Sequence, residues 1–166
     1  SVVGKLFEAL SQPSEQVRDL IYETLKDFGT HSIPFLMESL SSEYWMGRSL
    51  AARALAEMGS EAISPLTAAL ESQDKERRFW AVKILGQMRE ESALPEIRKF
   101  LTDQDSEIRM AAVQALGGFP QPDTVPMLVE RFLDPSWVVR REACRSAVAC
   151  GMLAVPALLS ALGSVE

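Results

Sequence analysis

The 166-residue sequence contains no asparagine, one histidine and two cysteines. Without asparagine, the chain has no acceptor for N-linked glycosylation. The single histidine, His31, cannot supply the several histidine and carboxylate ligands of a two-metal centre. The sequence also lacks a glycine-rich phosphate loop, a zinc-ligand spacing and a nucleophile elbow. We therefore expect a protein that is not an enzyme and that binds no metal or cofactor.

The chain also lacks an excess of basic residues and any long apolar run. Its formal charge is -6 and its pI is about 4.9, whereas nucleic-acid-binding domains usually carry a basic patch. No apolar run approaches the ~18 residues of a membrane-spanning helix. We expect a cytoplasmic protein that does not bind membranes. Because its net charge is negative, we also do not expect it to bind nucleic acid.

The two cysteines, Cys144 and Cys150, lie on one predicted helix. Their separation of six residues corresponds to about 9 Å along the helix axis, and they point to different faces. A disulfide between them would require the helix to break. We expect both to be small buried residues in a reducing compartment.

The sequence is rich in internal repetition. An arginine recurs every 30 or 31 residues. An apolar residue lies seven positions after each arginine, and a second series of apolar residues recurs before the arginines. The arginines are Arg18, Arg48, Arg78, Arg109 and Arg140; the first column is Leu25, Leu55, Leu85, Leu116 and Ala147; the second is Leu10, Leu40, Leu70, Leu101, Phe132 and Leu162. A period of this length indicates a solenoid of stacked helical units.

Each repeat is predicted to form two helices. A short helix A carries apolar residues at i, i+3 and i+7, with a proline in its first turn. A polar loop then leads to a longer helix B, which contains the arginine and ends at a glycine in repeats one, two and five. We expect one domain over residues 1–166, with repeats at about 3–29, 32–59, 62–89, 93–120 and 124–151 and a partial repeat at 154–162.

The pattern resembles the HEAT-repeat family, in the short bacterial form that also occurs in phycobilin lyase subunits. The likeness rests on Pro126, Leu128, Phe132-Leu133-Asp134, Val139-Arg140 and Ala143, and on the same spacing from Pro95 to Ala112. The resemblance implies an all-α, right-handed superhelix of five two-helix repeats plus one extra helix, with helix B on the concave side.

The recurring arginines are interpreted as structural residues. An arginine present in every repeat is suited to bonding loop carboxylates such as Asp103 or Asp134, or loop carbonyls, while its stem packs on apolar neighbours. Recognition is expected where the repeats differ, at the positions one, five and nine residues after the arginine. From these columns we select seven candidate partner-binding residues: Arg53, Phe79, Lys83, Met110, Gln114, Arg141 and Arg145.

The three tryptophans carry separate expectations. Trp45 and Trp137 lie three residues before a repeated arginine, so each either staples the loop onto helix B or serves as an exposed anchor. Trp80 shares a column with Leu20 and Leu50 and is expected in the core.

These features favour a protein-interaction scaffold that presents the helix B surface to a protein or peptide. A chromophore-handling subunit of the bilin lyase type is the alternative, because Arg141 and Arg145 would suit the propionates of a bilin. A HEAT-like DNA repair protein is a second alternative, which the acidic composition disfavours. Since Ser1 is not an initiator methionine and the last helix is largely apolar, we also expect a fragment of a longer chain whose ends can self-associate.

Overall fold

The computed structural model describes residues 15–163, with side chains for residue 16 and residues 19–160. These residues form ten α-helices and contain no strand. The helices are α1 (Glu15–Asp27), α2 (Ile33–Ser39), α3 (Trp45–Met58), α4 (Ser60–Leu70), α5 (Lys75–Met88), α6 (Leu94–Lys99), α7 (Ser106–Gly117), α8 (Thr124–Glu130), α9 (Trp137–Ala149) and α10 (Val155–Gly163).

The helices alternate between the two predicted types. The odd-numbered helices are helix B of repeats one to five, and the even-numbered helices are helix A of repeats two to six. Helix A of repeat one, with Leu10, lies outside the described residues. The all-helical repeat architecture expected from the sequence is confirmed.

The chain divides into two compact units, the first ending at Ile84 and the second beginning at Leu85. Within the first unit, α1 packs on α3 and α2 packs on α4, so like helices of successive repeats are neighbours. Within the second unit, α7 packs on α9 and α8 packs on α10 in the same way. Short helices such as these are marginal alone, and stacking buries their apolar stripes.

The predicted core columns are buried. The residue seven positions after each arginine is at most 1% exposed in all five helices B, and the residue three positions after each arginine is at most 2% exposed. In the preceding column Leu40, Leu70 and Leu101 are buried, whereas Phe132 is half-buried. The 3.6-residue period places these positions on one helix face, which explains why the sequence identifies them.

Helix ends follow local sequence signals. Asp105 accepts a hydrogen bond from the backbone N–H of Glu107, and Asp74 accepts one from that of Glu76, as expected for N-cap residues. Gly59 ends α3 with a φ of +60°. The corresponding position in repeat three is Arg89, whose φ of +53° is the only positive value at a described residue other than glycine.

Proline does not always lie in the first turn of helix A. Pro34 and Pro95 do, but Pro65 lies inside α4. The difference arises because α4 begins at Ser60, directly after Gly59, whereas α2 and α6 follow a 3-10 turn that delays the start of the helix.

The expectation that both cysteines are buried is wrong for Cys144, although both thiols are free. Cys150 is buried, but Cys144 lies four residues after the arginine of α9, at a position that is buried in α1, α3, α5 and α7. No further helix B follows α9 within the described residues, so Cys144 remains exposed.

None of the helices in residues 15–163 is long and apolar enough to cross a membrane.

Candidate partner-binding surface

The repeated arginines are used inside the protein. In every case described, Nη1 donates to the carbonyls five and six residues earlier in the chain, for example from Arg78 to Ser72 O at 2.9 Å and Gln73 O at 3.1 Å. Arg48, Arg109 and Arg140 make the same pair of bonds. All four side chains therefore bond the loop of their own repeat, and the side chain of Arg18 lies outside the described residues. The arginine fixes the loop between helix A and helix B.

Arg109 also joins two repeats. Its Nε and Nη2 donate to the carboxylate of Asp134 in the next loop, at 2.9 and 3.0 Å. Burial of Asp134 opposes its ionisation, but Arg109 and the backbone N–H of Ser136 outweigh that effect and hold the pKa of Asp134 below its usual value. The pair therefore stays ionised and ties repeat four to repeat five.

The variable columns of the first unit are exposed in α1 and α3. Asp19, Glu23 and Asp27 form an acidic face on α1, and Arg53 and Glu57 are exposed on α3. On α5, Phe79 and Lys83 are half-buried. On α1 and α3 the columns thus point away from the apolar stripe, whereas on α5 their first two positions are partly covered.

Phe79 belongs to an aromatic cluster with a cation. Its ring lies edge-on to the ring of Trp80, with the centroids 5.5 Å apart. The Nζ of Lys83 lies over both rings, 5.6 Å from the centroid of Phe79 and 4.7 Å from that of Trp80. Such pairs hold side chains in defined positions, and this cluster presents a preformed surface of apolar and charged groups.

The second unit carries its own set of variable residues. Met110 is half-buried on α7, and Gln114 is exposed on the same helix. On α9, Arg141 and Arg145 are exposed. Arg141 lies over the ring of Trp137 at 4.8 Å, and Arg145 pairs with Glu142 at 3.3 Å, so each guanidinium group has a partner on its own helix.

Two of the three tryptophans are exposed. Trp45 is 67% exposed and Trp137 is 59% exposed, each at the first residue of a helix B. Trp80 was expected in the core and is instead half-buried. Its column lies at the border of the packed stripe, where the small Ala111 is covered but Leu20 projects into solvent.

One interaction was missed by sequence reasoning. Arg53 stacks on the ring of Tyr22 at 3.9 Å, and its Nε lies 3.8 Å from Oε1 of Glu57. Burial, followed by a hydrogen bond to Glu57, raises the pKa of Tyr22. Tyr22 lies four residues after Arg18, in a column that the sequence analysis did not consider, although that column is apolar in the next three repeats.

The described side chains contain no group of three histidine, cysteine, aspartate or glutamate residues placed to hold a metal ion. His31 is exposed in the 3-10 turn Gly29–Ser32.

Comparison with known proteins agrees with this architecture. The family model for HEAT repeats matches residues 3–83 and 63–149. No curated protein matches the chain.

Several solved structures share the fold at low sequence identity. The complex of CpcE and CpcF of phycocyanin lyase from Nostoc sp. PCC7120 aligns with a TM-score of 0.70 and 20% identity, over 82% of this chain and 92% of that one. An engineered protein aligns with a TM-score of 0.55 and 21% identity, over 98% and 86%. Human deoxyhypusine hydroxylase aligns with a TM-score of 0.56 and 22% identity, over 90% of this chain and 62% of that one.

Proposed function

Because the chain belongs to the HEAT-repeat family, we propose that it is a non-enzymatic scaffold that binds a protein or peptide through the exposed face of its B helices. The binding residues are those of the variable columns, with one set in each compact unit. Arg53, Phe79 and Lys83 belong to the first set, and the second comprises Met110, Gln114, Arg141 and Arg145.

This proposal rests on the different contacts that the charged and aromatic side chains make. In the four recurring arginines that the structure describes, Nη1 donates to loop carbonyls of the same chain, which supports a role within the repeat for these side chains. The half-exposed ring of Phe79, ordered by Trp80 and Lys83, is available. Aromatic and arginine side chains of this kind dominate the binding energy of protein interfaces.

The test is capture of a partner from a lysate of the source organism, followed by affinity measurement with single variants. Phe79→Ala tests the first unit and Met110→Ala tests the second. Each is expected to weaken binding by more than ~1 kcal/mol, with the melting temperature nearly unchanged.

A matched control is Leu133→Ala, which removes an apolar side chain that is 90% exposed and lies outside the variable columns. An equal loss of affinity in this control would contradict the proposed surface. So would a fall in stability of several kcal/mol in Phe79→Ala and Met110→Ala, the range for filled core sites.

A lyase-type subunit that handles a bilin is the second candidate. The exposed Arg141, stacked on Trp137, and the nearby Arg145 supply cations beside an aromatic ring, which suits a conjugated ligand with propionate groups. Mixing the protein with a free bilin should then shift the visible absorbance, and Arg141→Ala should abolish the shift. No shift with the intact protein would remove this candidate and leave the scaffold proposal in place.

A further inference from the structure

A cleft of about 210 Å³ lies on the first compact unit, between α1 and α3. Asp19 and Tyr22 line it from α1, and Trp45, Met46 and Arg53 are among the residues that line it from α3. The cleft therefore lies where the B helices of repeats one and two meet.

The size of the cleft indicates what it can hold. Small-molecule and cofactor sites usually measure roughly 300–1,000 Å³, so this cleft is below that range. A volume of this order suits one long side chain of a bound protein.

The lining of the cleft carries one aspartate and one arginine, and the acidic residues around it favour a cation. Arg53 is its only lining cation among the described residues, and its guanidinium group is already stacked on Tyr22 and paired with Glu57. The carboxylate of Asp19 is exposed, and Glu23 continues the acidic face along α1. A positively charged side chain would meet this face with complementary charge.

The aromatic wall favours a planar cation. The indole of Trp45 is mostly exposed, although it lines the cleft. A guanidinium group can stack on an aromatic face while its N–H groups form two parallel bonds to a carboxylate, whereas an ammonium group cannot form this paired contact.

We propose that the cleft between α1 and α3 binds an arginine side chain of the partner protein, with Trp45 as the stacking surface and Asp19 as the counter-ion. This inference rests on the proposal that the chain binds a protein, and it names the side chain that anchors the partner on the first unit.

The experiment is a titration of the intact chain with the peptide acetyl-Gly-Gly-Arg-Gly-Gly-amide, followed by ¹H–¹⁵N NMR. The indole N–H signal of Trp45 is identified by its loss in Trp45→Phe. This signal is expected to shift in a saturable way with the arginine peptide. It should shift far less with the citrulline peptide, which has the same shape without the charge, and less with the lysine peptide.

Two pairs of variants locate the site. Asp19→Asn is expected to weaken peptide binding by about tenfold, corresponding to ~1.4 kcal/mol. Asp27→Asn, on the same helix but outside the cleft lining, should change the affinity by less than about twofold. The reason is that exposed charges at a distance are screened. With the backbone N–H signals of the cleft residues as the readout, Trp45→Ala should abolish the response, whereas Trp137→Ala, at an exposed tryptophan in the same position of another repeat, should leave it unchanged.

Equal shifts with arginine and citrulline peptides, or equal losses in the two aspartate variants, would overturn the proposal. The peptide comparison uses the wild-type chain, so it does not depend on the folding of any variant. A wild-type chain that captures a partner through Phe79 but shows no response to arginine would refute the cleft alone. Arginine binding in a chain whose capture is insensitive to Phe79→Ala and Met110→Ala would refute the proposed helix B surface instead.

Discussion

Replacement of Asp134 by asparagine tests the link between repeats four and five. The carboxylate is 2% exposed and accepts three hydrogen bonds, two from Arg109 and one from the backbone N–H of Ser136 at 2.8 Å. Asparagine preserves the volume, so no cavity forms. The substitution removes the negative charge and one acceptor oxygen from a buried site.

The expected loss of unfolding free energy depends on Arg109, the buried cation that remains after the substitution. The Arg109 side chain is 11% exposed, and breaking a buried ion pair by removing one partner costs roughly 3–5 kcal/mol. Arg109 keeps its bonds to the carbonyls of Asp103 and Gln104, which places the expected loss near the lower end, at about 3 kcal/mol. For a chain of this length that corresponds to a fall in melting temperature of roughly 6–12 °C.

Arg98 and Asp123 provide the matched control. Their ion pair is shorter, at 2.6 Å, but the Asp123 side chain is 58% exposed. Exposed pairs typically contribute ~0–1 kcal/mol, so Asp123→Asn should change the free energy of unfolding by less than about 1 kcal/mol.

The pH dependence follows from the lowered pKa of Asp134 in the folded chain. A lowered folded pKa stabilises the native state above the unfolded value of about 3.9, and this contribution disappears as the pH falls through the folded value. The difference between wild type and Asp134→Asn should therefore be constant from about pH 5 to about pH 8 and shrink below about pH 4.

Urea denaturation followed by far-UV circular dichroism measures these free energies. A loss in Asp134→Asn no larger than that in Asp123→Asn would show that burial does not strengthen the Arg109 pair. A difference that persists unchanged into acid would show that the carboxylate charge is not its source.

Three further predictions concern helix ends, helix contacts and thiols. Arg89→Gly should raise the free energy of unfolding by roughly 0.5–1 kcal/mol, because a side chain in the left-handed region is strained. Gly86→Ala should lower it by about 1 kcal/mol net in the same measurement, since the added Cβ would lie 2.8 Å from Cα of Ala115 and the overpacking exceeds the gain in helix propensity. In a thiol-labelling time course, Cys144 should react in the folded protein and Cys150 only on unfolding, because Cys150 is buried and burial raises the pKa of its thiol.

Gln87 is a useful control for the first two changes, because it is exposed in α5, the helix that contains Gly86 and ends just before Arg89. Gln87→Gly should destabilise the chain by about 1 kcal/mol, opposite in sign to Arg89→Gly. An increase in stability for Gly86→Ala would mean that α5 and α7 have room for the extra methyl group. Equal labelling rates for the two cysteines would contradict their difference in exposure.

Much of the architecture was set by the sequence itself. The spacing of Leu25, Leu55 and Leu116 relative to the arginines identified the buried face of helix B, because a 3.6-residue period leaves few positions that can face a neighbour. The recurrence of Arg48, Arg78, Arg109 and Arg140 also favoured a structural role, since a residue present in every repeat fits a bond within the repeat. These properties depend on residues close together in the chain.

Other properties were decided only by tertiary contacts. The burial of Tyr22 depends on α3, and Arg53, a candidate binding residue, is held on Tyr22 by a contact across 31 positions of the chain. Trp80 and Cys144 occupy columns that include buried residues, yet each is left accessible. Burial at these border positions depends on which side chain of the neighbouring repeat lies opposite them. That side chain is about 30 residues away in the sequence, and the 3.6-residue period of one helix does not identify it.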